Sequence, residues 1–264
     1  MEQEHRRGIQ SVERALRILE VISQAKEGAS LSEISGAVGL NHSTAHNLLL
    51  TLKQCEYVFQ PKPNGRYYLG YRALQLASSS NYSFPVNTVS RPHLADLVRK
   101  YDETAHLAIL SDGQVVYINK VESSHMMGLK SYVGKRNPCH ATALGKVLLA
   151  SLEPGQVDEI AAARGMPSYT PYTITSAAAL HKELEQIRRQ GYAVDNEEFE
   201  LGLWCAAAPV RDYSGRAAAA ISVTIPVGRA KFLMRERLIQ DVAATAQRIS
   251  RDLGWVESAG SKAD

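Results

Sequence analysis

Between Ser30 and Lys53 the chain reads SLSEISGAVGLNHSTAHNLLLTLK, and few local structures can hold that pattern. Ser30 is placed to cap a helix, and Glu33, three residues on, can reach back to complete a capping box. Leu31, Ile34 and Val38 fall on one face, and Gly39 suits the left-handed residue that ends a helix. Asn41 can then cap a second helix, in which Ala45, Leu48, Leu49 and Leu52 recur at i, i+3, i+4, i+7. The other face of that helix opens with His42, Ser43, Thr44, His46 and Asn47, all short or polar and able to hydrogen-bond. Two helices across a tight turn, the second polar at its N-terminal end, make a helix-turn-helix, which places that end in a DNA major groove. An ordinary helical hairpin with a solvated face has the same pattern, so the flanking segments decide.

Upstream, Val12, Ala15, Leu16, Leu19 and Ile22 form a helical stripe over Ser11 to Ser23, with Ser11 expected as its cap. Downstream, YVFQ and YYLG flank PKPNGR, and the Asn-Gly pair predicts a β-hairpin with Lys62 and Arg66 at or beside its tip. Three helices followed by a basic-tipped hairpin read as a winged helix-turn-helix, whose tip cations would neutralise phosphates. Ser32 and Lys53, at the ends of the helix pair, complete the expected DNA contacts. Bulk charge adds little to this reading. Up to Arg72 there are nine Lys or Arg against seven Asp or Glu, a net +2, and the whole chain is only +3.

The remaining length is enough for a second core. A Ser cluster and Pro85 mark a linker helix over 71–86, between a DNA-binding domain over 1–70 and a larger domain over 87–257. The last residues, 258–264, are expected to be a disordered tail. In the larger domain a helix from Val86 to Lys100 precedes HLAIL and QVVYINKV, which flank the turn Ser111-Asp112-Gly113. Helices follow at Ala141–Leu152, Val157–Ala163 and Ser176–Arg189, then YAVD. WCAAAPVR and AAAAISVTI form a last hairpin, and a helix over 231–253 closes the chain. The mixture predicts an α+β domain with an antiparallel sheet and covering helices.

Strand register points to a pocket. If the last hairpin turns symmetrically about Tyr213 and Ser214, Cys205 faces Ser222 and Leu203 faces Thr224, all on one face of the sheet. A thiol and two hydroxyls among Ala, Val and Ile make an unusual core, although each hydroxyl could simply satisfy a neighbouring carbonyl. Asn137-Pro-Cys-His-Ala-Thr142 leads into a helix whose N-terminal amides, at Thr142, Ala143, Leu144 and Gly145, suit a carboxylate. No Arg is obviously aimed there, so the helix dipole is expected to meet most of the charge.

These ordered motifs resemble the IclR-type transcriptional regulators over roughly residues 10–255. The pieces are SVERALRILEVI, STAHNLLLTL, GRYYLG, NPCHATALGKVLLA, and IRRQGYAVDNEEFELGLWCAAAPVRDYSGRAAAAISVTIP. The resemblance implies a winged helix-turn-helix, a GAF-like effector-binding domain, and a homodimer or homotetramer on a palindromic operator. It implies a repressor or activator of a catabolic operon, answering to a small organic acid, sugar acid or aromatic acid. It places the effector site at Ala143 and Leu144, at Asp195, at Leu203 and Cys205, and at Ser222 and Thr224. Where the family commonly has an Arg after the S-T-x-x pattern, this chain has His46-Asn47, so base preference does not carry over. Asn47 is suited to adenine.

Other functions have weaker support. His106, Cys139, His140 and Cys205 could be imagined as a nucleophile with its base or as metal ligands, but no hydrolase or metal-site spacing surrounds them. No cofactor and no metal are expected. Asp195, Glu197, Glu198 and Glu200 lack calcium-loop spacing and read as a solvated loop, Asp195 excepted. The three cysteines fit a reducing compartment, and no apolar run suits a signal peptide or membrane span, so a cytoplasmic location is expected. A DNA binder that takes no ligand remains the other class to test.

Overall fold

A computed structural model describes residues 8–25, 27–80, 85–124, 131–230 and 232–256. The chain divides into two compact units, Met1–Ser83 and Phe84–Asp264. The expected tail and part of the expected linker lie outside the described residues.

The first unit contains α1 (Gln10–Gln24), α2 (Leu31–Val38), α3 (His42–Gln54), β1 (Val58–Phe59), β2 (Tyr68–Leu69) and α4 (Tyr71–Ser80). Local chemistry sets its helix ends. Ser30 and Glu33 form the reciprocal capping box on α2, and Gly39 ends it at φ 66°. Asn41 caps α3 by accepting the Thr44 amide. The expected Ser11 cap is not found: the capping position falls two residues earlier, at Ile9, which makes no side-chain cap. The hairpin strands pair antiparallel over only two residues each, and Ala29 forms an isolated antiparallel bridge with Tyr67. Ile18, Ile22, Ile34, Leu49, Leu52 and Val58 make the core of this unit. Each such aliphatic side chain stabilises the fold by about 1.5–3 kcal/mol through burial.

The second unit contains α5 (Pro85–Tyr101), β3 (Thr104–Ser111), β4 (Gln114–Val121) and β5 (Arg136–Pro138). It continues with α6 (Ala143–Ala150), α7 (Pro154–Arg164), α8 (Ala177–Gln190), β6 (Ala193–Asn196), β7 (Leu203–Arg211), β8 (Ala217–Pro226) and α9 (Phe232–Asp252). Six strands form one antiparallel sheet in the order β5-β4-β3-β8-β7-β6. Helices cover both faces. Leu94 and Leu97 of α5 and Leu238 and Val242 of α9 pack on Leu107, Trp204, Ile221 and Val223. Against the opposite face, Leu144 and Leu148 of α6 and Leu180 and Leu184 of α8 pack on Ala108, Ala207 and Ala220.

The β7–β8 hairpin differs from the expected register. Cys205 faces Thr224 and Ala207 faces Ser222, two residues away from the symmetric pairing. The reason lies in the turn. Asp212 donates its amide to the Arg216 carbonyl, and Gly215 adopts φ 81°, so the loop has one residue more than a two-residue turn. A bulge between Val210 and Arg211 adds a second shift. Two one-residue shifts preserve the alternation of faces. Leu203, Cys205, Ser222 and Thr224 therefore still share one side of the sheet.

Candidate effector cleft and DNA-facing helix

On that side the sheet presents polar groups from all six strands. In strand order they are Asn137 (β5), Tyr117 (β4), His106 (β3), Ser222 and Thr224 (β8), Cys205 (β7) and Asp195 (β6). Asp195 pairs with Cys205 and Cys205 with Thr224 across neighbouring strands, while His106 pairs with Ser222. These residues floor a cleft of about 570 Å³, partly open to solvent. The start of α6 forms its roof, where Thr142, Ala143 and Leu144 line the same space. The Thr142 hydroxyl accepts the Gly145 amide at 3.2 Å, and the first intrahelical bond runs from the Lys146 amide to the Thr142 carbonyl. The amides of Ala143 and Leu144 precede that bond, at the positive end of the helix.

Gly145, expected in the site, does not line the cleft. A Cβ at this position would stand 2.3 Å from both Cα and O of Cys139, so this glycine lets α6 press against the backbone of the preceding segment.

Several groups in the cleft lack partners of their own. His106 is buried, stacks on Tyr117 with ring centroids 4.7 Å apart, and shares a 2.8 Å hydrogen bond between Nε2 and Ser131 Oγ. Burial, helped by the positive charges of Lys120 and Lys135, holds its pKa down to about 3, so the imidazole is neutral. Its Nδ1 has no hydrogen-bond partner among the described residues, and neither has Asn137 Oδ1. Asn137 Nδ2 donates to the Tyr117 hydroxyl at 2.9 Å. Cys205 donates to Thr224 Oγ1 at 3.3 Å. Buried polar atoms left open are costly unless a ligand or water meets them.

Asp195 is buried, and its carboxylate accepts the Glu198 amide at 2.8 Å. Burial pushes its pKa up to about 7, with the Glu198 charge adding to the rise. Glu198 itself corrects the expectation of a solvated loop. It is buried and pairs with Lys146 at 2.7 Å, and Lys146 also meets Glu183 at 3.0 Å. A cation also lines the cleft, adding to the helix dipole expected to meet most of an anion's charge: Lys135, from the segment before β5. Neither Lys135 nor Phe199, also in the lining, carries a sequence signal, because loops bring them there.

Cys139 and Cys205 are unsuited to nucleophilic chemistry. Burial raises the Cys139 pKa to about 12 and pushes that of Cys205 well above its ordinary value, so both are protonated thiols. His140 makes a 3.1 Å contact with the Pro167 carbonyl. Among the described residues, no group of three or more His, Cys, Asp or Glu could hold a metal ion.

In the first unit, His42, Ser43, His46 and Asn47 are exposed and Thr44 half-exposed at the start of α3. Ser43 donates to Asn41 Oδ1, the same atom that caps the helix. Ser32, Lys53 and Lys62 are exposed as well. Arg66 has partners within the unit. Its guanidinium binds both Glu33 carboxylate oxygens, at 2.8 and 3.2 Å, and the Gly28 carbonyl, which ties the wing to α2. The Ser30 amide and Arg66 together hold the Glu33 pKa down to about 2.

Comparison with known proteins accounts for both units. The family description "IclR helix-turn-helix domain" matches residues 11–61, and "Bacterial transcriptional regulator IclR C-terminal" matches residues 80–251. The HTH-type transcriptional regulator XynR of Escherichia coli K12 is 35% identical over 247 residues, covering 94% of this chain and 98% of its own. The transcriptional repressor IclR of the same organism is 34% identical, covering 84% of this chain and 81% of its own. An IclR homologue from Microbacterium hydrocarbonoxydans, solved in complex with 4-hydroxybenzoate, superposes with a TM-score of 0.82 at 25% identity, over 92% of this chain and 98% of its own.

Proposed function

Since the chain belongs to the IclR family of DNA-binding transcriptional regulators, a family without enzymatic activity, we propose that its operator binding answers to a small carboxylic acid held beneath α6. One observation carries this reading. Polar groups from six strands converge below a helix N-terminus, and two of them, His106 Nδ1 and Asn137 Oδ1, have no partner among the described residues. The carboxylate meets the Ala143 and Leu144 amides and Lys135, while Ser222, Thr224, Cys205, Asp195 and Leu203 set the shape of the space. The relative solved with 4-hydroxybenzoate favours an acid of this size.

The regulator reads a palindromic operator as a homodimer or homotetramer in the cytoplasm, repressing or activating a catabolic operon. His42, Ser43, Thr44, His46 and Asn47 face the bases. Ser32, Lys53 and Lys62 contact the backbone, and Arg66 sets the wing rather than touching phosphate. The DNA-binding domain covers 1–70, a linker helix 71–86, and the effector domain 87–257. The acid acts by preferring one arrangement of the effector domain, and such couplings are about 1–3 kcal/mol.

The test is a thermal-shift screen of small carboxylic, sugar and aromatic acids on the wild type and on Ser222→Leu. A ligand at about a hundred times its dissociation constant adds roughly 2.7 kcal/mol, a rise of about 5–11 °C. A hit lost in the variant, whose own melting point and operator binding are retained, supports the cleft. A hit that the variant keeps in full overturns it, and silence across the panel favours a DNA binder that takes no ligand.

A further inference from the structure

Beside the cleft lies a second, larger cavity of about 1110 Å³, also partly open to solvent, bounded by β5, α7 and the segment at 165–169. The two spaces share Lys135, Asn137 and Phe199 in their walls, so they adjoin. Their charges differ. The cleft carries Asp195 and Glu200 beside Lys135. The second cavity is lined by Lys135, Arg136 and Arg164, and by no Asp or Glu among the described residues. Arg164 pairs with Asp112, which offsets its charge. Arg136 gives one N–H to the Ser111 carbonyl at 3.1 Å, a contact that leaves its charge in place. Its remaining guanidinium donors suit a bidentate carboxylate.

Phe199 stands at the shared wall, half-buried, its ring edge-on to Tyr169 at 5.0 Å. Its backbone is clamped. The Thr170 hydroxyl donates to the Glu197 carbonyl at 2.6 Å, the Thr173 hydroxyl to the Glu198 carbonyl at 2.5 Å, and Asp195 accepts the Glu198 amide. The side chain is therefore the part of this wall best able to give way. Asn137, buried with its Oδ1 unpartnered among the described residues, lies in the wall of both spaces.

We propose that the second cavity is a distal anion subsite, and that the joined site takes an elongated dicarboxylic acid. One carboxylate sits at the α6 N-terminus, the skeleton passes Phe199, and the second carboxylate meets Arg136. This rests on the reading that the cleft holds a carboxylate.

The experiment is isothermal titration of the full chain with matched pairs, benzoate against terephthalate and hexanoate against adipate. It uses the wild type, Arg136→Gln and Ser222→Leu. At least one diacid binds the wild type about tenfold tighter than its matched monoacid, and Arg136→Gln cuts that advantage below about threefold without weakening the monoacid. Equal binding of both members of each pair overturns the subsite, as does no diacid binding up to about 10 mM. So does an Arg136→Gln loss shared by monoacid and diacid. The cleft fails separately. Monoacid affinity that survives Ser222→Leu removes the cleft reading, whereas an Arg136-dependent diacid advantage still upholds the subsite.

Discussion

Lys146 Nζ lies 2.7 Å from Glu198 Oε1, joining the middle of α6 to the loop that follows β6 with both side chains nearly out of solvent. The pair holds the roof of the cleft to the wall carrying Phe199. A buried charge that loses its partner is costly, so Lys146→Met is expected to destabilise the second unit by about 3–5 kcal/mol. Glu183, on the rim of the same cluster, is about a third exposed, and Glu183→Gln is expected to cost about 0–1 kcal/mol. Chemical denaturation of both variants checks the ranking; equal losses would remove the buried pair from its central role.

Asp195 makes stability depend on pH. Its folded pKa is raised from 3.8 to about 7, chiefly by burial, so the folded state holds a proton that the unfolded state releases. The stabilising form is present below the ordinary carboxylate value and is lost as pH rises toward 7, at roughly 1.4 kcal/mol per unit of displacement. Asp195→Asn is expected to flatten the profile between about pH 4 and 7. Urea melts at several pH values on both proteins decide the matter, and an unchanged slope in the variant assigns the dependence elsewhere.

Gly145→Ala places a methyl group against the Cys139 backbone, where no flexible side chain can move aside. The expected loss is about 1–3 kcal/mol, with α6 displaced from the sheet. Effector response should fall with it, while the separately folded first unit keeps its operator contacts. A melting point equal to wild type would show that the close approach is not needed.

At the DNA, Asn47→Ala is expected to relax preference at one base pair by about 1–3 kcal/mol. Lys62→Ala is expected to weaken all sequences alike and to lower the salt slope by about one unit. Arg66→Ala, in contrast, should leave the salt slope nearly unchanged and loosen the wing, because its guanidinium is bound to Glu33. Fluorescence anisotropy against a set of operator variants at several salt concentrations separates the three.

The legible parts of this chain are those specified within a few residues. Ser30, Glu33, Gly39 and Asn41 set helix ends by local hydrogen bonds, and each is read directly from spacing. Ser11 misled because a competent capping residue two positions past the actual cap, Ile9, cannot move a helix start. Eight of the nine residues expected at the effector site line one cleft. Leu203, Cys205, Ser222 and Thr224 were readable because strand alternation depends only on the parity of the sequence, Thr142, Ala143 and Leu144 because they open a helix, and Asp195 only through the family resemblance. The exception, Gly145, sits there for packing. The distal parts were not legible. Lys135 and Phe199 enter from loops, β5 is only three residues long, and Glu198 looks solvated until Lys146 reaches it from another element.

The β7–β8 hairpin carries a consequence for how this sequence can vary. Its longer turn and its bulge are each an odd displacement, and only together do they return Ser222 and Thr224 to the ligand side. Deleting one residue from either place would invert β8, driving both hydroxyls into the layer beneath α9 and turning Ile221 and Val223 outward. Removing one from both would leave the floor intact. Insertions and deletions in this arm are thus tolerated only in pairs, a rule of even steps that single substitutions never meet.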